Sequence, residues 1–273
     1  MKGLARVLIA IIIIAGVGIG VSSWLSSKQT QNQNSSVIQN PLPSASDSPS
    51  QHYPVTAETD LPQSSSKHLK SVPHIDESDQ SVEEMLSELI GKEKFESLFT
   101  LTNIIRRIVV TVESAGKHHQ ISQEFSPFLP LNPGFLVQGK DDTQAIDPVN
   151  FKRYRPYVEL ARTVDIEGLV SVYVHFYPLF QSAYEDLGSR GYFNDRLIAA
   201  IDILLKSPEV KEPILVSPVG AHHLYKYTDD QLEALPASQK IMIRMGIENS
   251  SAIKARLREI RNLLIHLDKT HKK

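Results

Sequence analysis

A run of nineteen uncharged residues, Val7 to Leu25, constrains this chain more than any other feature. It follows Arg6 directly, and Ile9, Ile11, Ile12, Ile13, Ile14, Val17, Ile19 and Val21 supply its apolar surface. As a helix at ~1.5 Å per residue it spans roughly 28 Å, close to the ~30 Å hydrocarbon core of a bilayer. The run is apolar on every side, which argues against a surface or core helix of a globular body. A secretory signal usually carries only ~7–15 apolar residues. The reading is therefore an uncleaved anchor, with a removed signal as the alternative, because Val21-Ser22-Ser23 offers a small-residue cleavage site. The chain contains no cysteine. That excludes a lipid-modified cysteine anchor, disulfides, thiol nucleophiles and thiolate metal sites.

Lys2 and Arg6 precede the run and only Lys28 lies close behind it. Cytoplasmic flanks carry the excess of basic residues. The expected arrangement is a single-pass membrane protein with its N-terminus cytoplasmic and its body outside; in a Gram-negative cell that means the bacterial inner membrane, with the body periplasmic. The first implied partner is the lipid bilayer, through residues 7–25.

Residues 1–27 thus form the expected membrane anchor. Residues 28–71 differ in composition: of these 44, 10 are Ser, 6 Gln, 5 Pro and 3 Asn. Such a stretch buries too little apolar surface to offset ~1–2 kcal/mol of backbone entropy per residue, so it reads as a disordered linker. Residues 72–273 suffice for one globular domain. They hold 24 Lys and Arg against 28 Asp and Glu. A nucleic-acid partner is disfavoured by that balance.

Helical periodicity dominates the body. Ser81 and Glu84 form a capping-box pattern ahead of Val82, Met85, Leu86, Leu89 and Ile90, and Gly91 follows as a stop. Ile104, Ile105, Ile108, Val109 and Val112 recur at helical spacing, although their β-branched content also suits a strand. Phe135-Leu136-Val137 with Ala145-Ile146 suggests a short hairpin or ordered coil. Asn150 to Val164 reads as a helix interrupted by Pro156. Asp165 should cap a long helix with Leu169, Tyr173, Tyr177, Phe180 and Tyr184 inward, kinked at Pro178. Asn194 should cap the next. Ile214 to Val216 and Leu224 to Tyr227 look like short strands. A final helix from about Asn249 to Leu267 buries Ile253, Leu257, Ile260 and Leu264 and turns Lys254, Arg256, Arg258 and Arg261 outward. The fold class is mainly α: a single helical domain with a minor β element, behind a transmembrane helix and a disordered linker.

Several stretches resemble a known bacterial family. They are Ile105-Arg106-Arg107, Asn150 to Tyr154, Tyr177-Pro178-Leu179-Phe180-Gln181 with Ala183-Tyr184-Glu185, and Tyr192-Phe193-Asn194-Asp195-Arg196-Leu197. Gln239-Lys240, Ile243-Arg244-Met245-Gly246, Asn249 and Ile253-Lys254 complete the set. Together they resemble domain of unknown function 3014 over about residues 72 to 265. The chain departs from that pattern at Pro236-Ala237-Ser238. The resemblance implies an N-terminal membrane segment with a Pro/Ser-rich linker, and it implies no activity, substrate or active site.

The histidine pairs His118-His119 and His222-His223 point apart whether in strand or helix, so neither pair chelates an ion alone. Glu185, Asp195 and Asp202 are spaced to converge, and paired carboxylates perform acid–base work when their environments differ. Arg106, Arg107, Arg190 and Arg196 are available to neutralise them, which favours structural ion pairs. No nucleophile elbow or phosphate loop is present. The candidate binding residues are Arg106, Arg107, Tyr154, Asn194, Asp195, Arg196 and Arg244, with no catalytic or metal-ligating set and no cofactor implied. Two function classes remain. The favoured one is a tethered, non-catalytic binding or scaffold module of the envelope, with an envelope protein or peptide as partner. The alternative is an envelope hydrolase with a dispersed carboxylate or histidine site.

Overall fold

The computed structural model describes residues 50–55, 71–119, 121–140, 143–220 and 224–267. The expected span 7–25, most of the linker and His222-His223 lie outside the described residues. Among the described residues no helix is long and apolar enough to cross a membrane.

The architecture is mainly helical with two small antiparallel sheets. Helix α1 spans Ser78–Ile90, α2 Lys92–Leu98 and α3 Ile104–Ser114. Hairpin strands β1 (Val137–Gln138) and β2 (Ala145–Ile146) come next, then α4 (Val149–Arg153), α5 (Arg155–Thr163), α6 (Ile166–Asp186) and α7 (Phe193–Leu205). Strands β3 (Val216–Val219) and β4 (Leu224–Tyr227) precede α8 (Asp230–Glu233), α9 (Ala237–Arg244) and α10 (Ile247–Leu264).

Helix α6 is the hub. Eleven of its side chains are buried, because α3, α7 and α10 all pack against it, and a narrower face that carries Glu167, Pro178 and Glu185 stays exposed. Asp165 caps it as expected, accepting the Glu167 N–H at 3.2 Å. The helix runs through Pro178, and Gly188 follows at φ +76°. In α3, Ile104, Ile105, Ile108, Val109 and Val112 are all buried, so tertiary burial decides the helix over the strand that β-branching would allow. Asp79 of α1 caps α3 from outside, its two oxygens taking the N–H groups of Asn103 at 2.6 Å and Ile104 at 2.9 Å.

A smaller apolar cluster, Ile146, Ile214, Val216, Tyr227 and Ile243, lies under the hairpins. Val137 pairs with Ile146 and Val216 with Tyr227. An Ala145–Leu215 bridge joins the two hairpins.

Four local expectations need correction. Helix α1 begins at Ser78 rather than Ser81, because a 3-10 turn at Ile75–Glu77 leads straight into it and the Ser78 hydroxyl donates to Ile75 O at 2.7 Å. Asn194 is not a cap: α7 starts at Phe193, and the Asn194 side chain serves other partners. The chain between Asn150 and Val164 is two helices, broken at Tyr154, with Pro156 in the first turn of α5 where its missing N–H costs no bond. On α10, Lys254 is buried and donates to Ser207 O at 2.6 Å. Arg256 donates to the carbonyls of Ala161 and Val164 at the end of α5, and Arg261 pairs with Asp202 of α7 at 2.6 Å. These three cations hold neighbouring elements to α10 instead of facing out.

Candidate functional site

The start of α7 is held in place by aromatic packing and one glutamine. Phe193 is fully buried and stacks on Phe180 of α6, ring centroids 5.4 Å apart and planes 3° from parallel. Gln181, one turn further along α6 than Tyr177, takes the Phe193 N–H on Oε1 at 2.8 Å and donates from Nε2 to Gly191 O at 3.0 Å and Glu185 Oε1 at 2.8 Å. One orphan N–H of the new helix is thereby satisfied without a side-chain N-cap. Tyr177 donates its hydroxyl to the same Gln181 Oε1 at 3.2 Å.

With the helix start fixed, Asn194 and Asp195 project onto residues 52 and 53. Asn194 is wholly buried; its Oδ1 accepts the Tyr173 hydroxyl at 3.1 Å and its Nδ2 donates to Tyr53 O at 2.9 Å. Asp195 accepts the His52 N–H on Oδ2 at 3.0 Å and the Tyr53 N–H on Oδ1 at 2.9 Å, with His52 Nδ1 3.4 Å from Oδ2. Three main-chain groups of two consecutive residues are thus read by two adjacent side chains. The side chains of Tyr53 and Val55 pack against the main core. Asp79 grips two successive N–H groups in the same way, but there they open a helix. At Asp195 they belong to a segment outside any helix or strand, within the stretch that composition reads as linker.

Burial keeps the tyrosines behind this grip protonated. Burial, then the neighbouring Tyr177 and Asp195, pushes the Tyr173 phenol well above its ordinary range. It stays protonated and donates to Asn194 Oδ1, while the Tyr53 carbonyl, which can only accept, takes Nδ2 on the other side of the same amide. Burial likewise pushes Tyr177 up to about 12. Arg261 is held further toward its charged form, chiefly by its hydrogen bond to Asp202 and in small part by Tyr53.

The remaining candidates sit elsewhere. Arg196 leaves the other side of α7 for α3, Nε to Glu113 Oε2 at 2.9 Å and Nη2 to Glu113 O at 2.6 Å. Arg106 pairs with exposed Asp76 at 2.7 Å. The Arg107 guanidinium donates to the carbonyls of Thr102, Glu124 and Ser126. Tyr154 is buried, and Arg244 lies over the rings of Phe135 at 5.6 Å and Tyr227 at 5.8 Å. Burial raises the Tyr154 pKa, opposed by Arg244 and Arg153.

The seven candidates therefore do not form one site: Asn194 and Asp195 meet the main chain of residues 52 and 53, Tyr154 neighbours Arg244, and Arg106, Arg107 and Arg196 each hold different partners. The expected arginine partner of Asp195 is replaced by main-chain N–H groups. Glu185 takes Gln181 and Asp202 takes Arg261, so the three carboxylates do not share a site. Among the described residues no three His, Asp or Glu side chains group to hold a metal ion. Sequence reasoning missed His52 and Tyr53 altogether. A signal was present: Tyr53 is the one aromatic residue between Lys28 and Ser71.

The model of the family described as "Protein of unknown function (DUF3014)" matches residues 104–261, more than half of the chain, which therefore belongs to that family. Neither the curated proteins nor the solved structures contain a match.

Proposed function

We propose that this member of the DUF3014 family is a membrane-tethered, non-catalytic binding module of the bacterial cell envelope, its body facing the periplasm. The uncharged run Val7–Leu25 and the Lys2/Arg6 flank support the tether and its orientation. The observation that carries the binding role is the grip of Asn194 and Asp195 on the main chain of His52 and Tyr53. Extended segments held by main-chain hydrogen bonds, with a few side chains seated beside them, are a recurring mode of peptide recognition. A hydrolase reading would need Asp195 free to move a proton, yet each of its oxygens already accepts an N–H.

The test places a photo-crosslinking residue at exposed apolar positions of the body, Phe125, Leu187 and Val219, in the full-length protein in its membrane. A defined adduct with an envelope protein or peptide is expected, and no adduct at any position overturns the binding role. Protease added outside spheroplasts should digest the body while the anchor pellets with membranes. Full protection of the body overturns the orientation.

A further inference from the structure

We propose that the clamp at the start of α7 is a peptide-binding site whose resident occupant is the chain's own segment 50–55, and that it takes in exchange an extended peptide with an aromatic–proline–aliphatic triplet. This rests on the binding-module reading and names its ligand class. The ligand chemistry is on view in the occupant. Consecutive donors of residues 52 and 53 meet the Asp195 carboxylate, and the carbonyl of residue 53 meets the Asn194 amide. None of these bonds depends on the peptide's side chains. Preference comes from Tyr53 and Val55, which are half-buried against the core, with Pro54 between them. Proline brings no N–H to be stranded in the contact and favours an extended residue before it.

The receiving side is built into the fold. Asn194 and Tyr173 are fully buried, and Gln181 fixes the helix start that carries both clamp residues. The occupant, in contrast, belongs to no helix or strand and joins the body through the fifteen residues 56–70. A link of that length gives an effective concentration on the order of 1 mM. If the peptide alone binds with a Kd on the order of 0.1 mM, an outside copy meets a site weakened ~10-fold by the resident. Exchange therefore needs a partner that is tighter or locally concentrated, as two proteins in one membrane are. Release also adds residues 50–70 to the tether, so that binding would lengthen the reach of the body.

The test uses the full-length chain in detergent micelles and a fluorescein-labelled hexapeptide, Ser-Gln-His-Tyr-Pro-Val, read by anisotropy. Tyr53→Ala with Val55→Ser weakens the resident and leaves the clamp intact. This double variant should bind the peptide ~10-fold more tightly than the native chain. Adding Asp195→Asn should lose at least ~10-fold of that binding, with an unchanged helical spectrum showing that the body is folded. No gain in the double variant overturns the proposal, as does binding indifferent to Asp195→Asn. A native chain that dimerises with concentration and becomes monomeric in the double variant, without gain in peptide binding, also overturns it, in favour of segment exchange between two copies. Failure here leaves the crosslinking test of the binding module standing, so the two readings fail separately.

Discussion

The hydroxyl of Tyr173 donates to Asn194 Oδ1 at 3.1 Å, and this bond anchors the amide whose Nδ2 donates to Tyr53 O at 2.9 Å. Tyr173→Phe keeps the ring among Phe180, Phe193 and Tyr177 but leaves Oδ1 buried without its donor. An unsatisfied buried acceptor costs about 1–3 kcal/mol. The variant should melt lower, and the N–H groups of His52 and Tyr53, which Asp195 holds, should exchange faster with solvent, because an Asn194 no longer anchored by Tyr173 holds the Tyr53 carbonyl less firmly and the segment opens more often. A lowered melting temperature with unchanged exchange at those two amides would separate the bond from the grip.

The arginines should differ in weight according to what they hold. Arg196 binds both the carboxylate and the carbonyl of Glu113, and the two side chains are 20% and 30% exposed. Removing the guanidinium with Arg196→Met strands a half-buried carboxylate and costs about 1–3 kcal/mol. Arg106→Met breaks a pair with an exposed aspartate and should leave the melting temperature unchanged within error. Equal losses in the two variants would mean that burial does not rank these pairs.

Gly246 marks a place where only glycine fits. Its φ is +83°, and a Cβ there would lie 2.9 Å from the Phe151 ring. Gly246→Ala combines backbone strain with a clash against α4, together about 2–4 kcal/mol. For a domain of this size that lowers the melting temperature by roughly 4–16 °C. Phe151→Leu in the alanine background should recover part of the loss, the clash but not the strain. A double variant no more stable than Gly246→Ala would show that the ring plays no part.

Elements whose stability is local were legible in the sequence. The stripe at Ile104–Val112, the Asp165 cap and the Gly91 and Gly188 stops each carry their cause within a few residues. The misread positions depend on distant chain. Lys254 and Arg256 look exposed on a helical wheel because their partners are main-chain carbonyls 47, 95 and 92 residues away. Hydropathy periodicity carries no information about such bonds. Asp195 looked like half of an ion pair for the same reason: its partners lie 142 and 143 residues earlier. The family motif did select Asn194, Asp195 and Gln181, but a motif names residues and not what they hold. Composition hid the occupant, since six ordered residues vanish in the average of a Ser- and Gln-rich stretch.

His175 should give the fold a measurable acid sensitivity. Its ring lies edge-on to Phe176, with centroids 4.7 Å apart, and burial depresses its pKa below the ordinary 6.5. The unfolded chain takes up this proton near pH 6.5, whereas the folded chain resists it until a lower pH. The stabilisation from keeping the ring neutral is therefore complete above pH 6.5 and is lost as pH falls through 6.5 toward the folded value. The half-exposed ring makes the effect modest. Melting temperatures from pH 8 to pH 5 should fall more steeply for the native chain than for His175→Gln, which has no proton to take up. The two curves should run parallel above pH 7 and converge or cross below pH 6.5. Parallel curves over the whole range would show that the ring titrates alike in both states and that its burial is not felt.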